Sequence, residues 1–115
     1  MPPADDELRA LLTAERARTA DRVSALSGDL EAIVEASRLV STDDEHDPEG
    51  STIAFERSQT GTFLKDARQR LEELDGALGR LERGGYGVCS DCGRPIAVER
   101  LLARPTATAC IECAI

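Results

Sequence analysis

All four cysteines of this chain lie in two pairs near its C-terminal end, and their spacing constrains the fold more than any other feature. Cys89 and Cys92 form the first pair, Cys110 and Cys113 form the second, and 17 residues separate the two pairs. Each Cys-x2-Cys pair can bind one metal ion from a tight turn, and the insert is long enough to bring the second pair back to the first. The pattern therefore predicts one tetrahedral metal site with four thiolate ligands.

We expect the metal to be a single structural Zn²⁺ ion, because four sulfur ligands leave no open position for water or a substrate. Residues 85–115 are too few to form a stable core alone, whereas metal binding can supply on the order of 10 kcal/mol. Gly93 follows the first pair and suits the sharp turn that such a site needs. Apolar cover for the site and for the end of the helical part is expected from Ile96, Val98, Leu101 and Leu102. From the spacing alone, a rubredoxin-like iron or iron–sulfur site, a redox disulfide system and unmetallated cysteines remain as alternatives.

The part of the chain before the cysteines has the apolar spacing of two long helices. The first is expected from Asp5, as N-cap, to about Val40, and the second ends at the stop signal Gly84-Gly85. Each spans roughly 33–36 residues, or about 50 Å, and the matched lengths favour an antiparallel coiled-coil hairpin. A parallel dimer of one helix and a piece of a larger bundle are the alternatives. The apolar residues of the first helix are Leu8, Leu12, Val23, Leu26, Leu30, Ile33 and Val40, and Arg16, Thr19 and Ser37 are the imperfect positions of its heptads. Those of the second helix are Leu64, Ala67, Leu71, Leu74, Leu78 and Leu81.

The predicted fold is mainly α: an antiparallel coiled-coil helical hairpin over residues 1–84, with an acidic tip around residues 41–51, and a small C-terminal C4 zinc finger over residues 85–115. The tip carries five carboxylates and no Lys or Arg. Asp47-Pro48 fits an N-cap followed by proline at the first position of the second helix. A solvated loop and a probe that presents carboxylates to a basic or metal-bearing cleft of a partner are both consistent with this composition.

Charge and composition exclude several classes of function. The chain has 22 acidic and 14 basic residues, a net charge of −8, which argues against a general binder of nucleic acid or anionic lipid. No apolar run is long enough to span a membrane, and the acidic N-terminus is unlike a secretory signal, so we expect a cytoplasmic protein. The only histidine, His46, is isolated and no nucleophile–base pair can be argued, so we expect no enzymatic activity.

The sequence around the cysteines resembles the DksA/TraR C4-type zinc-finger family. The resemblance rests on Tyr-Gly-Val-Cys-Ser-Asp-Cys-Gly at 86–93, Ile96, Arg-Leu-Leu-Ala-Arg-Pro at 100–105 and Cys-Ile-Glu-Cys at 110–113, with a leucine-rich helix immediately before them. It implies a coiled-coil hairpin with the finger at its open end and the four cysteines as zinc ligands. Because the sequence ends two residues after the last motif, we do not expect the helix that follows the finger in that family.

The same resemblance implies a transcription regulator that binds RNA polymerase through its secondary channel. There the acidic tip approaches the catalytic centre and alters the stability of promoter complexes, without sequence-specific DNA binding. Relatives can act with the alarmone ppGpp, and the sequence leaves that dependence open here. We expect a monomer. The alternative is a structural or adaptor zinc-binding protein that acts through coiled-coil contacts made by its leucine stripe.

The tip motif of the family is Asp-x-x-Asp-x-Ala, and it guides the choice of polymerase-facing residues. Asp44 and Asp47 supply the two acids, while Glu49 stands where alanine is expected. Counting back from the finger instead places His46 and Glu49 at the acid positions. We therefore predict Asp44 and Asp47 as the main polymerase-facing tip residues, with Glu45 and Glu49 as further candidates.

Overall fold

The computed structural model describes residues 3–39 and 48–114, with side chains described over residues 5–39 and 51–114. Helix α1 spans Pro3–Arg38, α2 spans Pro48–Arg83 and the short α3 spans Val98–Ala103. These ranges contain no β-strand, only an isolated antiparallel bridge between Val88 and Pro95. The long helices pack against each other as a hairpin, which confirms the predicted fold class.

The ends of the long helices follow local chemistry. Helix α1 begins at Pro3, so the prediction of Asp5 as its N-cap is wrong; Asp5 lies inside the first turn, where the helix dipole favours its charge. Proline is well suited to a first turn because it needs no intrahelical N–H bond there. Helix α2 begins at Pro48, as the Asp47-Pro48 pair predicts for that residue. Every helix within the described ranges is too short or too polar to span a bilayer.

The end of α2 is fixed by the predicted glycine stop. Gly84 has a φ of +83°, in the left-handed region that favours glycine. The Gly85 N–H donates to the Arg80 carbonyl oxygen at 2.9 Å, and the Gly84 N–H donates to the Leu81 carbonyl oxygen at 3.4 Å. This pair of bonds is the Schellman arrangement, which satisfies carbonyls that the helix itself leaves unpaired.

The chain forms two compact units. The first contains the residues up to Arg18 together with those from Arg70 onward, and the second is Thr19–Gln69. In the first unit, Leu12 and Leu74 are fully buried and form a cluster with Ala77. Ala77 lies outside the predicted leucine series. The predicted domain boundary between the hairpin, residues 1–84, and the finger, residues 85–115, stays a prediction.

In the second unit, the buried residues Leu64 and Ala67 belong to the predicted series of α2. The predicted aliphatic residues of α1 that are described in this unit are half-buried rather than fully buried, and Val40 lies outside the described residues. Both phenylalanines of the chain lie outside the buried set: Phe55 is 67% exposed and Phe63 is also exposed. The helix pair here is therefore held by aliphatic side chains. The half-buried residues of the predicted series are Val23, Leu26, Leu30 and Ile33, and Val34, which lies outside that series, is half-buried as well.

Candidate metal centre

The first cysteine pair lies on a tight turn that is closed by backbone hydrogen bonds. The Cys89 N–H donates to the Arg94 carbonyl oxygen at 2.8 Å, and the Gly93 N–H donates to the Cys89 carbonyl oxygen at 3.0 Å. Gly93 has a φ of +75°, so a residue with a side chain would be strained here. The turn requirement predicted for Gly93 is thereby confirmed.

The second pair lies on a similar turn. The N–H groups of Cys113 and Ala114 both donate to the Cys110 carbonyl oxygen, at 3.1 and 3.0 Å. A backbone bond of 2.8 Å from the Ser90 N–H to the Thr108 carbonyl oxygen joins this segment to the first turn. This backbone bond brings the two cysteine turns next to each other.

The four sulfur atoms converge. The Sγ atoms of Cys89, Cys92, Cys110 and Cys113 all lie within 4.8 Å of one another, and none of the four cysteines is in a disulfide. The Sγ atoms of Cys92 and Cys110 are 3.7 Å apart. A tetrahedral zinc ion with Zn–S bonds of about 2.3 Å requires sulfur atoms about 3.8 Å apart. The four cysteines thus fit one zinc ion in both donor type and separation.

The thiol groups influence one another's ionisation. Hydrogen bonds from the backbone N–H of Cys110, and then of Cys92, lower the pKa of Cys89 to about 6, against the opposing effect of burial. Hydrogen bonds with the thiol groups of Cys110, Cys89 and Cys92 raise the pKa of Cys113, because they hold its proton in place. The surroundings therefore favour the thiolate form of Cys89 and oppose the thiolate form of Cys113. A divalent cation removes this conflict, since it stabilises all four thiolates together.

A small apolar cluster supports the first turn. The Cys89 side chain is 1% exposed and is buried with Leu8, Ile96 and Leu101. Leu8 belongs to α1, so the finger is covered in part by the first helix. The sequence predicted that Ile96 and Leu101 cover the site. It did not predict this role for Leu8, because the spacing of Leu8 indicates only that it faces the other long helix.

Two other predicted cover residues do not belong to that cluster. Val98 and Leu102 lie on α3 one turn apart, and both side chains are exposed. Helix α3 therefore buries Leu101 against the finger and turns these two residues outward. Val98 and Leu102 were predicted as cover together with Leu101 because the sequence did not predict α3, which places them on different faces.

The predicted tip residues have no described side chains. Asp44, Glu45 and Asp47 lie outside the described residues, as does His46. Glu49 is in the first turn of α2, and its side chain is not described. Their assignment as polymerase-facing residues stays a prediction.

Residues 84–115 match the family model of the prokaryotic dksA/traR C4-type zinc finger. The structure of the transcription factor DksA2 from Pseudomonas aeruginosa matches with a TM-score of 0.82 and 32% identity, covering 96% of this chain and 80% of that chain. The chain belongs to the DksA/TraR family. This membership, with the cluster of four cysteines, confirms the predicted cofactor: a C4 site able to bind one zinc ion.

Two further relatives match over shorter stretches. The RNA polymerase-binding transcription factor DksA of Caulobacter vibrioides is 49% identical over 45 residues, which cover 39% of this chain and 32% of the relative. General stress protein 16O of Bacillus subtilis is 35% identical over 78 residues, which cover 68% of this chain and 48% of the relative. The matched part of the chain thus spans about a third to a half of the length of these two relatives.

Proposed function

We propose that this chain is a transcription regulator that binds RNA polymerase through the secondary channel of the polymerase. It inserts its acidic tip toward the catalytic centre and alters the stability of promoter complexes, without sequence-specific contacts to DNA. The proposal includes no catalytic reaction by the chain itself and places it in the cytoplasm with the polymerase. The observation that carries it is the match to DksA2, a transcription factor, over 96% of this chain.

In this proposal Cys89, Cys92, Cys110 and Cys113 hold the zinc ion. When bound, zinc neutralises the thiolates and fixes the two turns to each other. The protein supplies the rest of the support. Leu8 covers the buried Cys89, and the Tyr86 hydroxyl donates a hydrogen bond of 2.8 Å to the Pro105 carbonyl oxygen. Leu8 thus joins α1 to the finger, and the Tyr86 bond joins the segment between the cysteine pairs to the turn that follows α2.

The tip acts through charge in this proposal. Asp44 and Asp47 are the leading residues, with Glu45 and Glu49 beside them in the same acidic segment. Coulomb attraction to a basic channel accelerates and orients docking, and added salt weakens it. The net charge of −8 is consistent with a basic protein partner and unfavourable for direct contact with DNA.

The test is the double substitution Asp44→Ala and Asp47→Ala, assayed by promoter transcription in vitro with purified polymerase. We expect the helical content to be unchanged and the effect on transcription to be lost. The matched control is Asp21→Ala with Asp29→Ala, which removes the same charge from exposed positions of α1. The assay is run with and without ppGpp, which also determines whether that alarmone is required. Full activity of the tip variant would contradict the tip assignment, and failure of the wild-type protein to bind polymerase would contradict the whole proposal.

A further inference from the structure

Arg70 is the one α2 side chain whose described hydrogen bonds reach both α1 and the finger. One guanidinium nitrogen donates to Glu15 Oε2 of α1 at 2.6 Å, and the other donates to Thr106 Oγ1 at 2.8 Å. Both bonds lie within the first compact unit. Charged hydrogen bonds of this kind are stronger than neutral ones, and these are partly buried.

Thr106 lies in a segment that is hydrogen-bonded to the finger on both sides of it. The residue before it, Pro105, is buried and accepts the hydrogen bond of Tyr86. Two residues after it, Thr108 accepts the backbone bond from Ser90 that joins the two cysteine turns. The Thr106 hydroxyl therefore lies between two hydrogen-bonded positions, and the Ser90–Thr108 bond is the one that connects its segment to both cysteine turns.

A second ion pair across the helices provides an internal comparison. Arg16 of α1 binds Asp75 of α2, with both side chains more exposed than those of Arg70 and Glu15. Within the part of the chain that the structure describes, Arg16 makes no hydrogen bond to the finger. The two arginines thus stabilise the same pair of helices, and only Arg70 also contacts the zinc-binding region.

We infer that Arg70 links metal binding by the finger to the pairing of α1 with α2, through its simultaneous bonds to Thr106 and Glu15. With zinc bound, the four cysteines would hold their two turns together and so keep the Thr106 segment in place; the Thr106 hydroxyl then orients the Arg70 guanidinium, which holds Glu15. Such coupling is reciprocal. If zinc binding strengthens the pairing of α1 with α2 through these bonds, the same bonds let helix pairing raise the zinc affinity by the same factor. The inference rests on the zinc site and does not depend on polymerase binding.

The experiment measures the zinc dissociation constant of full-length variants by competition with a chromophoric chelator. We expect Arg70→Met, Thr106→Val and Glu15→Gln each to raise this constant, with Arg70→Met raising it about fivefold or more, the lower range of ordinary coupling between sites. Thr106→Val should have no added effect in the Arg70→Met background, because the bond it removes is already lost. Arg16→Met, the matched control, should lower the melting temperature and leave the zinc dissociation constant unchanged.

Hydrogen exchange gives a second readout in the same proteins. Removing zinc from the wild type should accelerate amide exchange in α1 around Glu15, and this acceleration should be several-fold smaller in Thr106→Val. Thr106→Val is close in shape to the native residue and keeps the inference testable if Arg70→Met does not fold. Wild-type zinc affinity in Thr106→Val and Glu15→Gln, or an equal loss in Arg16→Met, would overturn the inference.

Discussion

The four cysteines are not equivalent in their surroundings. Cys89 is buried against Leu8 and two finger residues, whereas Cys92 is exposed and Cys110 and Cys113 are intermediate. Loss of the Cys89 side chain would therefore disturb both packing and metal binding. Loss of the Cys92 side chain would disturb metal binding with little change in packing, and it gives the cleaner test of the site.

Cys92→Ser should lower the zinc content from one ion per chain to well below one, because a neutral hydroxyl is a poor replacement for a thiolate. The long helices should remain, since Cys92 packs into no buried cluster of the described residues. Metal analysis and circular dichroism measure the two effects. Ser90→Ala, a change at an exposed position of the same turn, should keep its zinc. Full zinc content in Cys92→Ser would contradict the four-thiolate site.

The pH dependence of zinc binding should reflect the lowered pKa of Cys89. Above about pH 6 this thiol is already ionised in the metal-free protein and releases no proton when zinc binds. Below about pH 6 it is protonated and must release that proton, so acid should weaken zinc binding more steeply there, by about one further tenfold step per pH unit. Zinc affinities measured across this range test the change of slope. A constant slope through about pH 6 would contradict the favoured thiolate at Cys89.

At the scale of elements, the long helices could be predicted because their apolar residues repeat at regular spacing. Leu12 and Leu74 belong to the predicted series and are 0% exposed. Ala77 is equally buried but was not predicted, because alanine is common on both faces of helices and carries little periodic signal. The position of Leu8 in the finger cluster could not be predicted either, since it depends on how the finger packs against α1.

Leu12→Ala or Leu74→Ala should lower the free energy of unfolding by about 2–5 kcal/mol, because each removes a fully buried side chain and leaves a cavity. Urea unfolding followed by circular dichroism measures the change in the zinc-loaded protein. Leu39→Ala is the control, since Leu39 is 84% exposed and its truncation should change stability by no more than about 0.5 kcal/mol. Equal losses of stability at the buried and the exposed leucines would contradict the packing of α1 against α2.

At the scale of the whole molecule, two functions use the same leucine residues differently. A polymerase regulator needs them inside its own hairpin, whereas an adaptor that acts through coiled-coil contacts needs them available to another chain. Leu12, Leu64 and Leu74 are all buried within the chain's own compact units. Their burial favours the regulator. The oligomeric state then depends on whether the exposed apolar residues bind a second copy of the chain.

We expect the zinc-loaded protein to be a monomer in light scattering at micromolar concentration, with a mass near 12.4 kDa. The physical reason is that the apolar residues between α1 and α2 are already buried within the chain, and that the net charge of −8 repels a second copy. Raising the salt concentration screens that repulsion and tests the second part of the argument. A dimer at every salt concentration would instead support the adaptor. In that case Phe55→Ser with Phe63→Ser should restore the monomer if these exposed aromatic residues form the contact, because they are the chain's only phenylalanines and lie outside its buried set.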